Sequence, residues 1–127
     1  MKIYVGHASQ GDYRNELYKP LMQSSLWQVH EWYLPHLASD KPFNSKALIE
    51  SCDLLLAEVS LISTGLGIEL GWAHSAGTPI LAIHKTTAAV SSSVALICQE
   101  IISYDDFNQF LVILERKLQD AKASRVG

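Results

Sequence analysis

Cysteine is scarce in this chain, with only Cys52 and Cys98 among 127 residues. Neither belongs to a CxxC pair and both stand in apolar runs, which argues against a zinc ribbon or redox dithiol and for free thiols in a reducing compartment. The five histidines, His7, His30, His36, His74 and His84, show no ligand spacing. No metal and no cofactor are therefore expected. Charge is also sparse: Asp, Glu, Lys and Arg make up 18% of the chain, and the ten basic residues are scattered within a net charge of -3. Duplex nucleic acid calls for a concentrated basic face, so that partner class is excluded. A small anion is still compatible, because backbone amides bind phosphate without net positive charge. No apolar run approaches the ~20 residues of a membrane span. The opening residues 1–6 turn polar too soon for a secretory signal. A cytoplasmic location is expected.

A hydrophobic content of 48% describes a packed globular chain rather than a disordered one. No internal repeat or shift of composition divides it, so residues 1–127 read as one domain. Strand signals alternate with helix signals. Residues 2–6 form a first strand, and residues 13–24 a helix behind Asp12 that Pro20 should bend or end near Lys19. Residues 27–34 read as a second strand. Pro42 opens a helix over 42–51. Residues 53–59 are apolar on both faces apart from Glu58, which suits a central parallel strand. A helix over 65–76 stops at Gly77, and a strand follows over 79–83. A short helix over 93–99, a strand over 100–104 and a last amphipathic helix after Asp105 or Asp106 complete the chain, with 121–127 as a frayed tail. The pattern predicts an α/β three-layer sandwich, Rossmann-like and flavodoxin-like in strand order, around a parallel sheet of about five strands. Such sheets bind ligands at the carboxyl ends of their strands, here beside strands one and three.

The richest segment is residues 52–73. It reads as a buried strand, a glycine-bearing loop, and the first turn of a helix that carries Glu69. Two readings of Glu69 compete. It is a reactive carboxylate at a ligand crevice, or a helix-start charge that the macrodipole stabilises by about 0.3–1 kcal/mol. Glu58 ends the central strand and either serves a site or bonds loop amides. Trp72, one turn beyond Glu69, either packs in the core or leans on a ligand.

Asp53, Ala57-Glu58-Val59-Ser60, Ser63, Gly65-Leu66-Gly67 and Glu69-Leu70-Gly71-Trp72-Ala73 align without a gap to a longer motif. With Gly77-Thr78-Pro79-Ile80-Leu81 and the opening Tyr4-Val5-Gly6, they resemble the nucleoside 2-deoxyribosyltransferase family. The branch they are most similar to is that of the 2'-deoxynucleoside 5'-monophosphate N-glycosidases. The resemblance implies that Glu69 is the nucleophile on the anomeric carbon and that Tyr4 holds it in place. It implies substrate contacts from Gly6, Ser63, Gly65, Gly67 and Ser93, with Ser93 reaching the site of a neighbouring subunit in a homodimer with shared active sites. His7 and Ser9 stand where that branch carries a Ser-x-Arg phosphate contact. Asn44 and Ser45 stand near the family's sugar-binding aspartate, where they can hydrogen-bond a sugar hydroxyl but cannot act as an acid; Asp40 lies upstream.

The expected activity is therefore cleavage of the base–sugar bond of a (deoxy)nucleoside 5'-monophosphate. Base exchange by deoxyribosyl transfer is the alternative within that chemistry. The missing Arg and Asp support a second class, a nucleotide-binding or signalling module that does not cleave. The opening His7-Ala8-Ser9 and Tyr13-Arg14-Asn15-Glu16-Leu17 resemble TIR-like domains, which cleave NAD through a glutamate.

Overall fold

Five short apolar segments pair into one sheet in which every neighbour runs parallel, in the order β2-β1-β3-β4-β5. The computed structural model describes residues 1–39 and 44–126, with side chains through Lys122. The strands are β1 Lys2–His7, β2 Glu31–Tyr33, β3 Leu54–Glu58, β4 Ile80–Lys85 and β5 Glu100–Tyr104. The helices are α1 Lys19–Gln23, α2 Leu26–Val29, α3 Lys46–Ser51, α4 Thr64–Ala76, α5 Ser92–Ile97 and α6 Phe107–Val126. This is the flavodoxin-like order, and its direction reverses at β1, which places the crevice between β1 and β3.

Alternation along the strands builds a separate core on each face. Ile3 and Val5 of β1, Leu56 of β3 and Leu81 and Ile83 of β4 pack with Leu21, Phe110, Leu111 and Leu114 under α1 and α6. Tyr4, Leu55, Ala57, Ile80 and Ala82 point the other way, onto Ile49, Leu66, Leu70 and Ala73 under α3 and α4. Register sets Tyr4 beside Leu55, Gly6 beside Ala57 and His7 beside Glu58. Every even-numbered position of β1 near the crevice therefore serves the α4 face.

Several expectations need correction. Residues 27–34 do not form one strand: Leu26–Val29 is a helical turn and only Glu31–Tyr33 pairs with β1. The helix before it does not end at Lys19. A π-helical turn, Arg14–Tyr18, widens the coil just ahead of Pro20, with the Lys19 amide donating to the Arg14 carbonyl, and α-helix resumes through Gln23. The wider turn is one way to absorb the amide that Pro20 lacks. Residues 121–126 continue α6 instead of fraying. Pro42 and Phe43, expected to open α3, lie outside the described residues.

Helix α4 has defined ends. Ser63 caps its start, accepting from the Leu66 amide at 3.3 Å. Gly77 ends it at φ 76°, a left-handed conformation that β-carbon sterics disfavour in other residues. Gly71 lies inside the same helix with open space where a Cβ would stand. The two glycines should thus respond to alanine with opposite signs. Urea unfolding of Gly77→Ala is expected to show a loss of about 1 kcal/mol, and of Gly71→Ala a gain of about 0.5–1 kcal/mol.

Candidate active site

Glu69 sits in the second turn of α4, not the first, because the helix begins at Thr64. The macrodipole effect fades within one turn, so a helix-start role does not account for this carboxylate. From α4 its side chain crosses to the end of β1. The Tyr4 hydroxyl donates to Glu69 Oε2 at 2.5 Å, and the Ser45 hydroxyl donates to the same oxygen at 2.7 Å. Tyr4 is fully buried and Ser45 is 2% exposed. Burial, and next the hydrogen bond to the Glu69 carboxylate, push the Tyr4 phenol far above its usual range. Tyr4 therefore remains a donor at any working pH.

Among the described residues no donor is recorded on Glu69 Oε1. That oxygen lies over the backbone of Gly6, where a Cβ would stand 3.8 Å from it and 3.1–3.2 Å from methyl carbons of Leu66 and Leu55. The absent side chain keeps this approach open. A cleft of about 290 Å³ surrounds the carboxylate, lined among others by His7, Ser9, His36, Ser63, Gly65 and Trp72. This size lies at the low end of the ~300–1,000 Å³ usual for small-molecule sites.

A larger cleft, of about 350 Å³, opens on the opposite face of the sheet beside Glu58. Its carboxylates are already engaged. Tyr104 donates its hydroxyl to one oxygen of Glu58 and the Ser60 amide donates to the other, at 2.7 Å. Lys85 pairs with Glu16 at 2.7 Å, and the Asn15 amide bonds both oxygens of Asp12. Glu58 thus takes the loop-amide role, and the smaller cleft carries the open oxygen.

The expected site residues divide into three groups. Tyr4, Gly6, Ser45 and Glu69 converge as described. His7, Ser9, Ser63 and Gly65 line the cleft. Gly67 and Asn44 are not among its lining residues, and the Asn44 side-chain oxygen instead accepts from the Lys46 amide at 3.0 Å. Ser93 is exposed in the first turn of α5, apart from this cleft. Asp40 lies outside the described residues. The sequence reading missed His36, which reaches the cleft because the Tyr18 hydroxyl accepts its backbone N–H at 3.0 Å. No local pattern signals that contact.

His7 joins the two clefts from within the wall. Its Nδ1 donates to the Ala8 carbonyl at 2.7 Å, so its Nε2 accepts from the Tyr18 hydroxyl at 2.6 Å. Rings of Tyr13, Tyr18 and His36 surround it, at centroid distances of 4.4, 5.2 and 5.6 Å. Burial lowers its pKa and nearby His36 adds to the effect, against opposition from the Ala8 carbonyl and Glu58.

No family model and no curated protein matches this chain. A solved structure does: the Clostridium botulinum CMP N-glycosidase BcmB superposes with a TM-score of 0.65 at 18% identity, covering 91% of this chain and 99% of that one. At that identity the likeness establishes a shared fold.

The neutral state of His7 has a consequence for stability. The unfolded chain takes up a proton at this residue below about pH 6.5, whereas the folded chain does so only at lower pH. Stability should fall as pH drops through that window. Melting temperatures between pH 7 and pH 5 are expected to decline more steeply for the wild type than for His7→Gln; parallel slopes would contradict a neutral buried His7.

Proposed function

We propose that the chain is an N-glycosidase that cleaves the base–sugar bond of a (deoxy)nucleoside 5'-monophosphate, with Glu69 as nucleophile. The observation that carries this reading is the asymmetry of Glu69. One oxygen is bound by two buried hydroxyls, and the other faces an open cleft at the carboxyl ends of β1 and β3. A carboxylate held this way suits attack on an anomeric carbon, whose transition state is oxocarbenium-like. The shared fold with a CMP N-glycosidase and the motif of residues 53–73 support the same chemistry.

In this reading the 5'-phosphate sits at the start of α4. Ser63 and Gly65 line the cleft there, the first turn holds no acidic residue, and the helix runs 13 residues behind it. The sugar lies over Gly6, within reach of Oε1. Ile68 and Trp72, on either side of Glu69 along the helix, offer an apolar wall to the rest of the nucleotide. Among the described lining residues the ionisable groups besides Glu69 are Tyr4, His7 and His36. Tyr4 and His7 are committed to Glu69 and Tyr18, so the proton for the departing base comes from His36 or from solvent.

Ser93 completes the phosphate site of a second copy in a homodimer. Support for this assembly comes from apolar side chains left exposed: Ile62, just before α4, at 95%, Leu96 of α5 at 85% and Ile68 of α4, in the cleft wall, at 49%. No helix among the described residues is long and apolar enough to cross a membrane. A cytoplasmic enzyme of nucleotide metabolism, needing no cofactor, is the setting this proposal implies.

Base release, followed by chromatography over ribo- and deoxyribonucleoside 5'-monophosphates, nucleosides and NAD, tests the reading. One class of nucleoside monophosphate is expected to be cleaved. Glu69→Gln should reduce the rate by at least about 10³-fold, while Glu58→Gln stays within about threefold of wild type. Deoxyribose moving to an added free base would mark a transferase. Full turnover by Glu69→Gln would overturn the proposal.

A further inference from the structure

The resemblance implies a sugar contact near Ser45, and in the structure its hydroxyl proton goes to the carboxylate. The hydroxyl donates to Glu69 Oε2 at 2.7 Å, beside the Tyr4 hydroxyl at 2.5 Å, and Ser45 is almost wholly buried. The segment holding it is fixed: the Ser45 carbonyl accepts the Ile49 amide at 2.9 Å, opening α3. Ile49 itself is fully buried beneath the sheet face that carries Tyr4. Ser45 is thus anchored by a packed helix, and its hydroxyl stands beside that of Tyr4 on the same carboxylate oxygen.

We infer that Ser45 is a positioning residue which, with Tyr4, makes the two oxygens of Glu69 chemically distinct: Oε1 attacks, and Oε2 is held as the future ester carbonyl. The inference rests on the glycosidase reading above and deepens it. A free carboxylate exchanges its oxygens by rotating about its last bond. Two hydroxyls converging on one oxygen hold that rotation in a single state and keep Oε1 over Gly6.

The two chemical steps then feel these donors differently. In the first, Oε1 bonds to the anomeric carbon as the glycosidic C–N bond breaks; the electron pair leaves with the base nitrogen, which takes up a proton. Charge leaves the carboxylate, so both hydrogen bonds weaken. In the second, a water oxygen bonds to the anomeric carbon and the C–Oε1 bond breaks. Its electron pair returns to the Glu69 carboxylate, and the water proton passes to solvent. Charge returns to the carboxylate, and the two hydrogen bonds strengthen as it does. The pair therefore orients the first step and accelerates the second.

Removing one donor should slow ester breakdown more than ester formation. The probe is the nucleoside 5'-monophosphate that the wild type cleaves fastest, read by rapid-quench base release and by mass spectrometry of the quenched protein. Ser45→Ala is expected to lower kcat about ten- to a hundredfold. It should also release base in an initial burst and accumulate a sugar-phosphate adduct on Glu69. Ser45→Thr, which keeps the hydroxyl, should restore the wild-type pattern. Tyr4→Phe removes the other donor and should show the same burst, so the test survives if one variant fails to fold. A raised KM with unchanged kcat in Ser45→Ala would overturn the inference in favour of a sugar contact. A lower kcat without burst or adduct would overturn it too. Absence of base release from the wild type itself would defeat the glycosidase reading, and the inference with it, in a separate and recognisable way.

Discussion

The convergence of two buried hydroxyls on one carboxylate oxygen is the interaction on which the account of this protein depends. Tyr4 comes from a strand, Ser45 from the entry to α3, and Glu69 from the second turn of α4. None of the three could hold this arrangement alone. The sheet fixes Tyr4 by burying its ring completely, and α4 fixes Glu69 by packing Leu66, Leu70 and Ala73 against the same face. A buried donor without an acceptor costs about 1–3 kcal/mol, so fold and site stabilise each other.

The pleat of the sheet explains why Glu58 and Glu69, both near the carboxyl ends of the strands, differ in their freedom to react. Tyr4 and Gly6 face α4, while the next position, His7, meets Tyr18 of the π-helical turn and its register partner Glu58 meets Tyr104 of β5. On that second face Tyr104 and the Ser60 amide bind one oxygen of Glu58 each, and both oxygens are filled. On the first face the donors share one oxygen. The distinction is geometric: each glutamate has two donors, and their placement decides which carboxylate can attack.

Much of this was legible in the sequence because it was written in local patterns. Apolar strands alternating with capped helices predict the parallel sheet, and Gly77 marks the end of α4 where the structure has a left-handed residue. The run from Asp53 to Ala73 places Glu69 beside β1, and Tyr4 is its partner as the resemblance implies. What escaped depends on tertiary context. Leu26–Val29 has the composition of a strand but closes a helical turn, while the Trp32 indole donates to the Leu26 carbonyl at 2.8 Å. The π-helical turn before Pro20 has no composition cue. The resemblance gives Asn44 or Ser45 a sugar hydroxyl to bond, and the contact of Ser45 with Glu69 is set by packing between α3 and α4 that no local pattern encodes. His36 enters the cleft wall through a backbone bond to Tyr18, which no spacing rule encodes.

In the proposed reaction Glu69 bonds to the sugar rather than activating a water. The stereochemistry of the reaction tests it most directly. Turnover of a β-nucleoside 5'-monophosphate in the presence of methanol, followed by NMR of the methyl glycoside before it can equilibrate, reads the outcome at the anomeric carbon. Two displacements through a Glu69 ester predict retention and a β-methyl glycoside. An α-methyl glycoside would mean one displacement, with Glu69 acting as a base, and would contradict the account.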